Sequence, residues 1–258
     1  MYGICNLSMI PLRTEPSESA EMASQLLFGE AYSVLEEQGK WLKIATADCQ
    51  YEGWIDRKLF NPLHDDEAEA YLSANKYIVK DLFVFIKEVK SDISFPIFLG
   101  SSFPYPSNGL VTLGSSQFRI TAPEEKSQNT LDTLLQTAHA YLHAPYLWGG
   151  RTPAGIDCSG FVQVVFKCCG ISLPRDASQQ ALCGETVDFI GEARKGDVAF
   201  FENEEGRIIH TGIICAPGRI IHASGLVRID PIDQTGIFNQ ERGRYTHTLR
   251  IIKRILPC

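Results

Sequence analysis

No C-x-x-C pair and no Cys/His spacing of the zinc type occurs among the 8 cysteines, which stand at positions 5, 49, 158, 168, 169, 183, 215 and 258. A disulfide framework or a zinc module is therefore not the expected organising device, and most of these thiols should act as small buried hydrophobes. The chain also lacks any uninterrupted apolar run near ~18 residues, the length a membrane-spanning helix needs. Its best short stretch, Leu82 to Ile86, is bracketed by Asp81 and Lys87. At the start, Met1 to Ser8 offers no basic segment leading into an apolar one, and Pro11, Arg13 and Glu15 interrupt the next few residues. No secretory signal is expected, and together with free thiols this points to a reducing cytoplasm. Basic charge is short as well: 24 Lys and Arg stand against 31 Asp and Glu, a net charge of -7. With no Lys/Arg cluster interleaved with aromatics, nucleic acid is not an expected partner, and neither is a membrane.

The chain does have an ordinary globular balance, 44% apolar and 21% charged residues, and should fold. At ~100 to 200 residues per domain the length allows two units or three small ones. Residues 1–62 read as short strands separated by turn residues: Pro11 and Pro16, Phe28-Gly29-Glu30, Tyr32 to Leu35, Gln38-Gly39, then Trp41 to Ile44. Strands this short and close predict a small barrel. Residues 63–125 open on the acidic run Asp65 to Glu69, a solvated linker or first helical turn, and continue as a second strand-rich stretch. There Leu99-Gly100-Ser101-Ser102 and Leu113-Gly114-Ser115-Ser116 read as turns of a second small barrel, and Pro123 to Asn129 as a polar hinge.

Residues 126–258 change period. Leu131, Leu134, Leu135, Ala138 and Leu142 recur at helical spacing, with Asn129 or Thr130 as cap and Pro145 as the stop. His139 and His143 lie four apart on that run and are read as solvated or capping residues. A second helix is predicted to begin at Asp157-Cys158 and to end at Gly170, with strands after it over Val198–Phe201, 210–215 and 219–222. Helices first and strands after predict an α+β domain.

The chemistry concentrates in this third segment. A cysteine at a helix N-terminus meets unpaired N–H groups and the positive end of the helix dipole, so its thiolate is favoured. Cys158 holds that position, with Asp157 as the natural cap and the Cys158 N–H free for an oxyanion. If the strands around Pro217-Gly218 close through a three-residue loop at 215–217, His210 faces His222 directly and the two imidazoles share one side. One would then serve as base to Cys158 and the other would hold its tautomer. Zinc held by Cys158, His210 and His222 is the poorer reading, because a structural site wants a fourth ligand and a catalytic one a carboxylate base.

These residues resemble the NlpC/P60 family of cell-wall peptidases. The resemblance rests on Pro145-Tyr146-Leu147-Trp148-Gly149-Gly150, Gly155-Ile156-Asp157-Cys158-Ser159-Gly160, Leu173-Pro174-Arg175, Lys195-Gly196-Asp197, His210-Thr211-Gly212 and Ile221-His222-Ala223-Ser224. Likewise Gly39 to Ile44, with Tyr51-Glu52-Gly53-Trp54-Ile55 after it, resembles the bacterial SH3 family. Together they imply a papain-like catalytic domain behind one or two small SH3-like barrels. Cys158 is then the nucleophile, His210 the base, His222 the third member and Tyr146 an oxyanion partner.

The order of domains is similar to γ-D-glutamyl-L-diamino acid endopeptidases that require a free N-terminal L-alanine. That likeness implies that Asp157 and Ser159 help bind the substrate ammonium, with Tyr51 and Glu21 contributing from the SH3 segment. Trp148, Ser178 and Arg175 would line the D-glutamyl pocket. The expected substrate is a short muropeptide already released from the wall, cut without a cofactor by a monomer in a recycling role. Rival readings are a broader wall endopeptidase, a CHAP-like amidase, and a decayed module that only binds wall peptides.

Overall fold

The computed structural model describes residues 1–120 and 129–256. The polar hinge expected at 123–129 lies outside the described residues except for Asn129. The chain divides into two compact units, Met1–Ser127 with Trp148–Thr152, and Gln128–Leu147 with Pro153–Cys258.

The first unit begins with β1 (Tyr2–Ile4), β2 (Met9–Arg13), β3 (Met22–Leu27), β4 (Ala31–Gln38), β5 (Trp41–Thr46), β6 (Glu52–Asp56) and β7 (Pro62–Leu63). They pair as one sheet in the order β3-β2-β6-β5-β4-β1-β7. Alternation fills its inside: Ile10, Leu12, Leu26, Tyr32, Leu42, Ile44 and Ile55 make a buried cluster. Then come α1 (Asp65–Ser73), β8 (Lys76–Ile78), β9 (Phe83–Glu88), β10 (Ser94–Phe98), β11 (Ser102–Pro104), β12 (Leu110–Leu113) and β13 (Ser116–Arg119). The acidic run Asp65 to Glu67 is the first turn of α1, where carboxylates suit the helix dipole. Four strands form a second sheet, β10-β9-β13-β12, and β11 pairs with β8. The two halves share a core, since Ile4, Phe28 and Ala31 pack with Tyr71, Phe103, Val111 and Phe118. Phe28 meets Phe118 edge to face at 5.1 Å. Gly29 makes that approach possible: at φ +82°, a Cβ on it would fall 2.0 Å from the Ser102 carbonyl oxygen.

The second unit opens with α2 (Thr130–Ala140), capped by Asn129, whose side chain accepts from the Leu131 N–H. The helix ends earlier than its apolar spacing predicts. Tyr141 turns into the core against Phe161, 5.8 Å away, and His143 takes a left-handed φ of +68°, so His139 and His143 do not share a helical face. β14 (Arg151–Thr152) belongs to the first unit. β15 (Gly155–Ile156), α3 (Cys158–Lys167), α4 (Ala177–Gln180), β16 (Glu185–Val187), β17 (Val198–Glu202), β18 (Ile208–Ala216), β19 (Arg219–Ser224), β20 (Leu226–Pro231), β21 (Gly236–Asn239) and β22 (Arg244–Arg254) complete the second. Its sheet runs β16-β22-β17-β18-β19-β20, with β21 on β22. α3 is buried along most of its length and packs against β18 and β19. The Lys195-Gly196-Asp197 motif is a folding device: buried Asp197 accepts from Arg254 at 2.8 and 3.0 Å and from the Arg194 N–H. No helix among the described residues is long and apolar enough to cross a membrane.

Candidate active site

Cys158 is the first residue of α3, as its cap chemistry dictates. The Asp157 carboxylate accepts from the Gly160 N–H at 2.7 Å, which ties down the third residue of the helix. That carboxylate is also gripped by Arg175, whose two terminal nitrogens reach its two oxygens at 3.1 and 2.5 Å. One of them, Nη1, also donates to Ser159 Oγ at 2.9 Å. Asp157, Ser159 and Arg175 therefore form one buried knot on either side of the cysteine. Arg175 is held in turn by a short segment that Gln180 secures, donating to the Pro174 and Ser159 carbonyls at 2.8 and 3.0 Å.

The histidines come from the β18–β19 hairpin, and its register differs from expectation. Gly212, not His210, stands opposite His222, and the strands close through the two residues Pro217-Gly218. With that turn alone Ile213 would face His222, and His210 would point to the other side of the sheet. A bulge between Ile214 and Ala216 adds one unpaired residue, Cys215, and returns His210 to the face of His222. Gly212 is required at the crossing: a Cβ there would sit 2.7 Å from the His222 Cβ and 2.9 Å from the Ile221 carbonyl oxygen. The result is a contact of 2.8 Å between His210 Nε2 and His222 Nδ1.

Two further residues join this pair, and neither was singled out from the sequence. His222 Nε2 lies 3.1 Å from Asp230 Oδ2, and the His247 ring stacks on His210 with centroids 4.1 Å apart and planes at 24°. Asp230 stands diagonal to His222 across the next strand pair, since His222 pairs with Arg228. The only trace of it in sequence is a carboxylate at strand spacing eight residues beyond a histidine. His247 arrives from β22, a strand whose partners no local pattern discloses.

The electrostatics are those of a dry site. Burial, and after it the Asp157 charge, push the Cys158 thiol up to about 12, while the backbone N–H groups of Thr211 and Ser159 and the charge of Arg175 pull the other way. The sulfur thus lies beside the backbone of the residue after His210. Burial and the neighbouring His222 and His247 hold His210 well below the usual imidazole range. His247 is lowered to about 4, chiefly by burial. Tyr146, half-buried, is pushed up to about 12 by burial and by the charges at Cys158 and Asp157, so its hydroxyl keeps its proton beside the sulfur. Either charge alone is disfavoured here; a proton passed from sulfur to imidazole creates both at once, each beside its counter-charge.

The other expected site residues stand on other elements. Ser178 lines a cavity of about 840 Å³ with Leu182, Phe189, Ile208 and Arg250. Trp148, 58% exposed, belongs with Tyr51 and Glu21 to the first unit. Tyr51 packs against the first unit's buried cluster, and Glu21 is exposed next to the start of β3. Arg151, which no motif flagged, is buried in that unit and forks onto Glu30 at 2.7 and 2.9 Å. Among the described residues no group of three or more His, Cys, Asp or Glu is arranged to hold a metal ion.

The comparisons with known proteins support a cysteine-peptidase hydrolase of the NlpC/P60 kind. The NlpC/P60 family model matches residues 143–243, and the bacterial dipeptidyl-peptidase SH3 domain model matches residues 12–58. The chain carries an NlpC/P60 domain behind a bacterial SH3 domain and is homologous to γ-D-glutamyl-L-lysine dipeptidyl-peptidases. One from Bacillus subtilis is 28% identical over 225 residues, covering 78% of this chain and 71% of its own. Another from Bacillus cereus is 25% identical over 256 residues, covering 86% and 74%. Among solved structures, an NlpC/P60 family protein from Bacillus cereus superposes with a TM-score of 0.82 at 21% identity, covering 100% of both chains.

Proposed function

We propose that this protein hydrolyses the bond between γ-D-glutamate and an L-diamino acid in short muropeptides that carry a free N-terminal L-alanine. The observation that carries the reading is the 2.8 Å link between His210 and His222 beside a cysteine that starts a helix. The Cys158 sulfur attacks the γ-carbonyl carbon of D-glutamate, and its proton passes to His210. The oxyanion that forms is met by the Cys158 backbone N–H and the Tyr146 hydroxyl. The C–N bond then breaks, His210 returns the proton to the departing amine of the diamino acid, and a thioester remains on Cys158. Water, deprotonated by His210, opens the thioester and releases the L-Ala-γ-D-Glu dipeptide. No cofactor enters these steps.

Asp157 and Ser159 supply acceptors for the alanine ammonium, with Arg175 orienting both. The resemblance to free-amine endopeptidases extends these roles to Tyr51 and Glu21, and to Trp148 and Ser178 for the D-glutamyl part. An acetylated or sugar-linked amine brings bulk without charge and is refused, so the substrates are peptides already freed from the wall, in keeping with recycling. A reducing, cytoplasmic setting suits the seven described cysteines, all free thiols. The test is mass spectrometry of products from L-Ala-γ-D-Glu-diaminopimelate. Dipeptide release that is lost in Cys158→Ala with unchanged circular dichroism is expected. Full activity of that variant overturns the nucleophile, and equal cleavage of the N-acetylated peptide overturns the free-amine requirement.

A further inference from the structure

His210 and His222 are the inner part of a longer chain of polar contacts. Beyond His222 Nε2 lies Asp230 Oδ2, 3.1 Å away, on a residue only 3% exposed. Arg228 forms an ion pair with that carboxylate, Nη2 donating to Oδ1 at 3.1 Å and Nε standing 2.8 Å from Oδ2. Arg228 in turn reaches Glu241 at 3.1 Å. Burial works against the charge on Asp230, but hydrogen bonds from His222 and Arg228 outweigh it and hold the carboxyl below its ordinary range. An ionised carboxylate has only acceptors to offer.

The consequence passes along the chain one atom at a time. Facing a pure acceptor, His222 must carry its proton on Nε2. A neutral imidazole has one N–H, so His222 Nδ1 is then a lone pair. His210 Nε2, 2.8 Å from that lone pair, must be the donor. The lone pair of His210 is thereby left on Nδ1.

We propose that Asp230 is a positioning residue for the reaction: by fixing the His222 proton on Nε2 it fixes the His210 proton on Nε2, and so presents His210 Nδ1 as the lone pair that receives the Cys158 proton. Arg228 serves the same end by keeping Asp230 ionised. This rests on the reading of Cys158 and His210 as nucleophile and base, yet the tautomers can be measured without any substrate.

The experiment is long-range 1H–15N correlation of the full chain labelled at histidine, in the Cys158→Ala background, where no thiolate can draw a second proton onto His210. Peaks are assigned with His210→Gln and His222→Gln. Both histidines are expected as Nε2–H tautomers, and an Nδ1–H signal from either overturns the proposal. In Cys158→Ala/Asp230→Ala the preference for Nε2–H should be lost at both rings, and an unchanged pattern likewise overturns it. With Cys158 restored, Asp230→Ala should lower kcat on the tripeptide by roughly 10²- to 10⁴-fold, the scale seen when the carboxylate behind a catalytic histidine is neutralised, with KM nearly unchanged. Wild-type kcat in that variant refutes the proposal. Should Asp230→Ala fail to fold, the Cys158→Ala spectrum alone still decides. A chain with the expected tautomers but no cleavage of the tripeptide would sink the proposed function and leave this inference standing.

Discussion

Replacing Arg175 by methionine removes the group that both neutralises and orients Asp157. Arg175 and Asp157 have side-chain exposures of 3% and 7% and are joined by contacts of 3.1 and 2.5 Å. Methionine fills much of the volume but leaves a buried carboxylate without this counter-charge, still held by the Gly160 N–H and the Ser159 hydroxyl. Removing one partner of such a pair costs about 3–5 kcal/mol. With a urea dependence of about 2 kcal/mol per molar, the midpoint of the second unit should fall by roughly 2 M. Far-UV circular dichroism reads that transition. Trp41, Trp54 and Trp148 all lie in the first unit, so tryptophan fluorescence serves as a control that should stay put. In Asp157→Asn/Arg175→Met the orphaned charge is gone, and the loss should be smaller than the sum of the single losses by about 1–3 kcal/mol. Arg175 also pulls the Cys158 thiol toward ionisation, so alkylation of Cys158, read by peptide mapping, should slow in Arg175→Met. A midpoint shift below about 0.5 M, or strict additivity in the double variant, would refute the reasoning.

Arg151→Met should have a matching effect in the first unit, about 3–5 kcal/mol read by tryptophan fluorescence, because buried Glu30 loses the guanidinium while its hydrogen bond from the Leu27 N–H stays; Arg151→Met/Glu30→Gln should recover part of it. The His247 ring gives a pH effect of known sign. Its folded value, about 4, lies below the ordinary 6.5, so the unfolded chain binds the proton more readily, and the stability due to neutral His247 is complete above pH 6.5 and fades as pH falls toward 4. By pH 4 the loss from this residue is about 3 kcal/mol, and it should be missing from His247→Gln when urea unfolding is compared at pH 7 and pH 4.

Legibility in the sequence tracked the range of the interactions. The start of α3 was readable because an aspartate cap acts over three residues, and Asp157 does accept from the Gly160 N–H. The early end of α2 was not, because it is decided by Tyr141 packing on Phe161, a partner in another element. Cys158, His210 and His222 were legible as a spaced set. Asp230 and His247 were not, because their places depend on strand pairings that become visible only when β19 meets β20 and β22 joins the sheet. The hairpin register was misread at the loop: a two-residue turn plus a bulge replaces a three-residue connection, and no pattern in Ile213 to Gly218 announces the extra residue. Arg151 shows the limit of reading by neighbourhood, since it lies between two catalytic-domain motifs yet is built into the first unit with Glu30.

The bulge at Cys215 sets a rule for how this chain can change length. Strand side chains alternate, so one codon gained between His210 and Gly212, if the ladder absorbs it, would send the His210 imidazole out of the site while the sheet stays intact. Two codons gained would turn it inward again, but about 7 Å further along the strand and out of hydrogen-bond reach of His222. Insertions and deletions in this arm should therefore silence the protein at either parity, odd steps by facing the imidazole away and even steps by carrying it along the strand out of reach of His222, a rule that a library of length variants would expose directly.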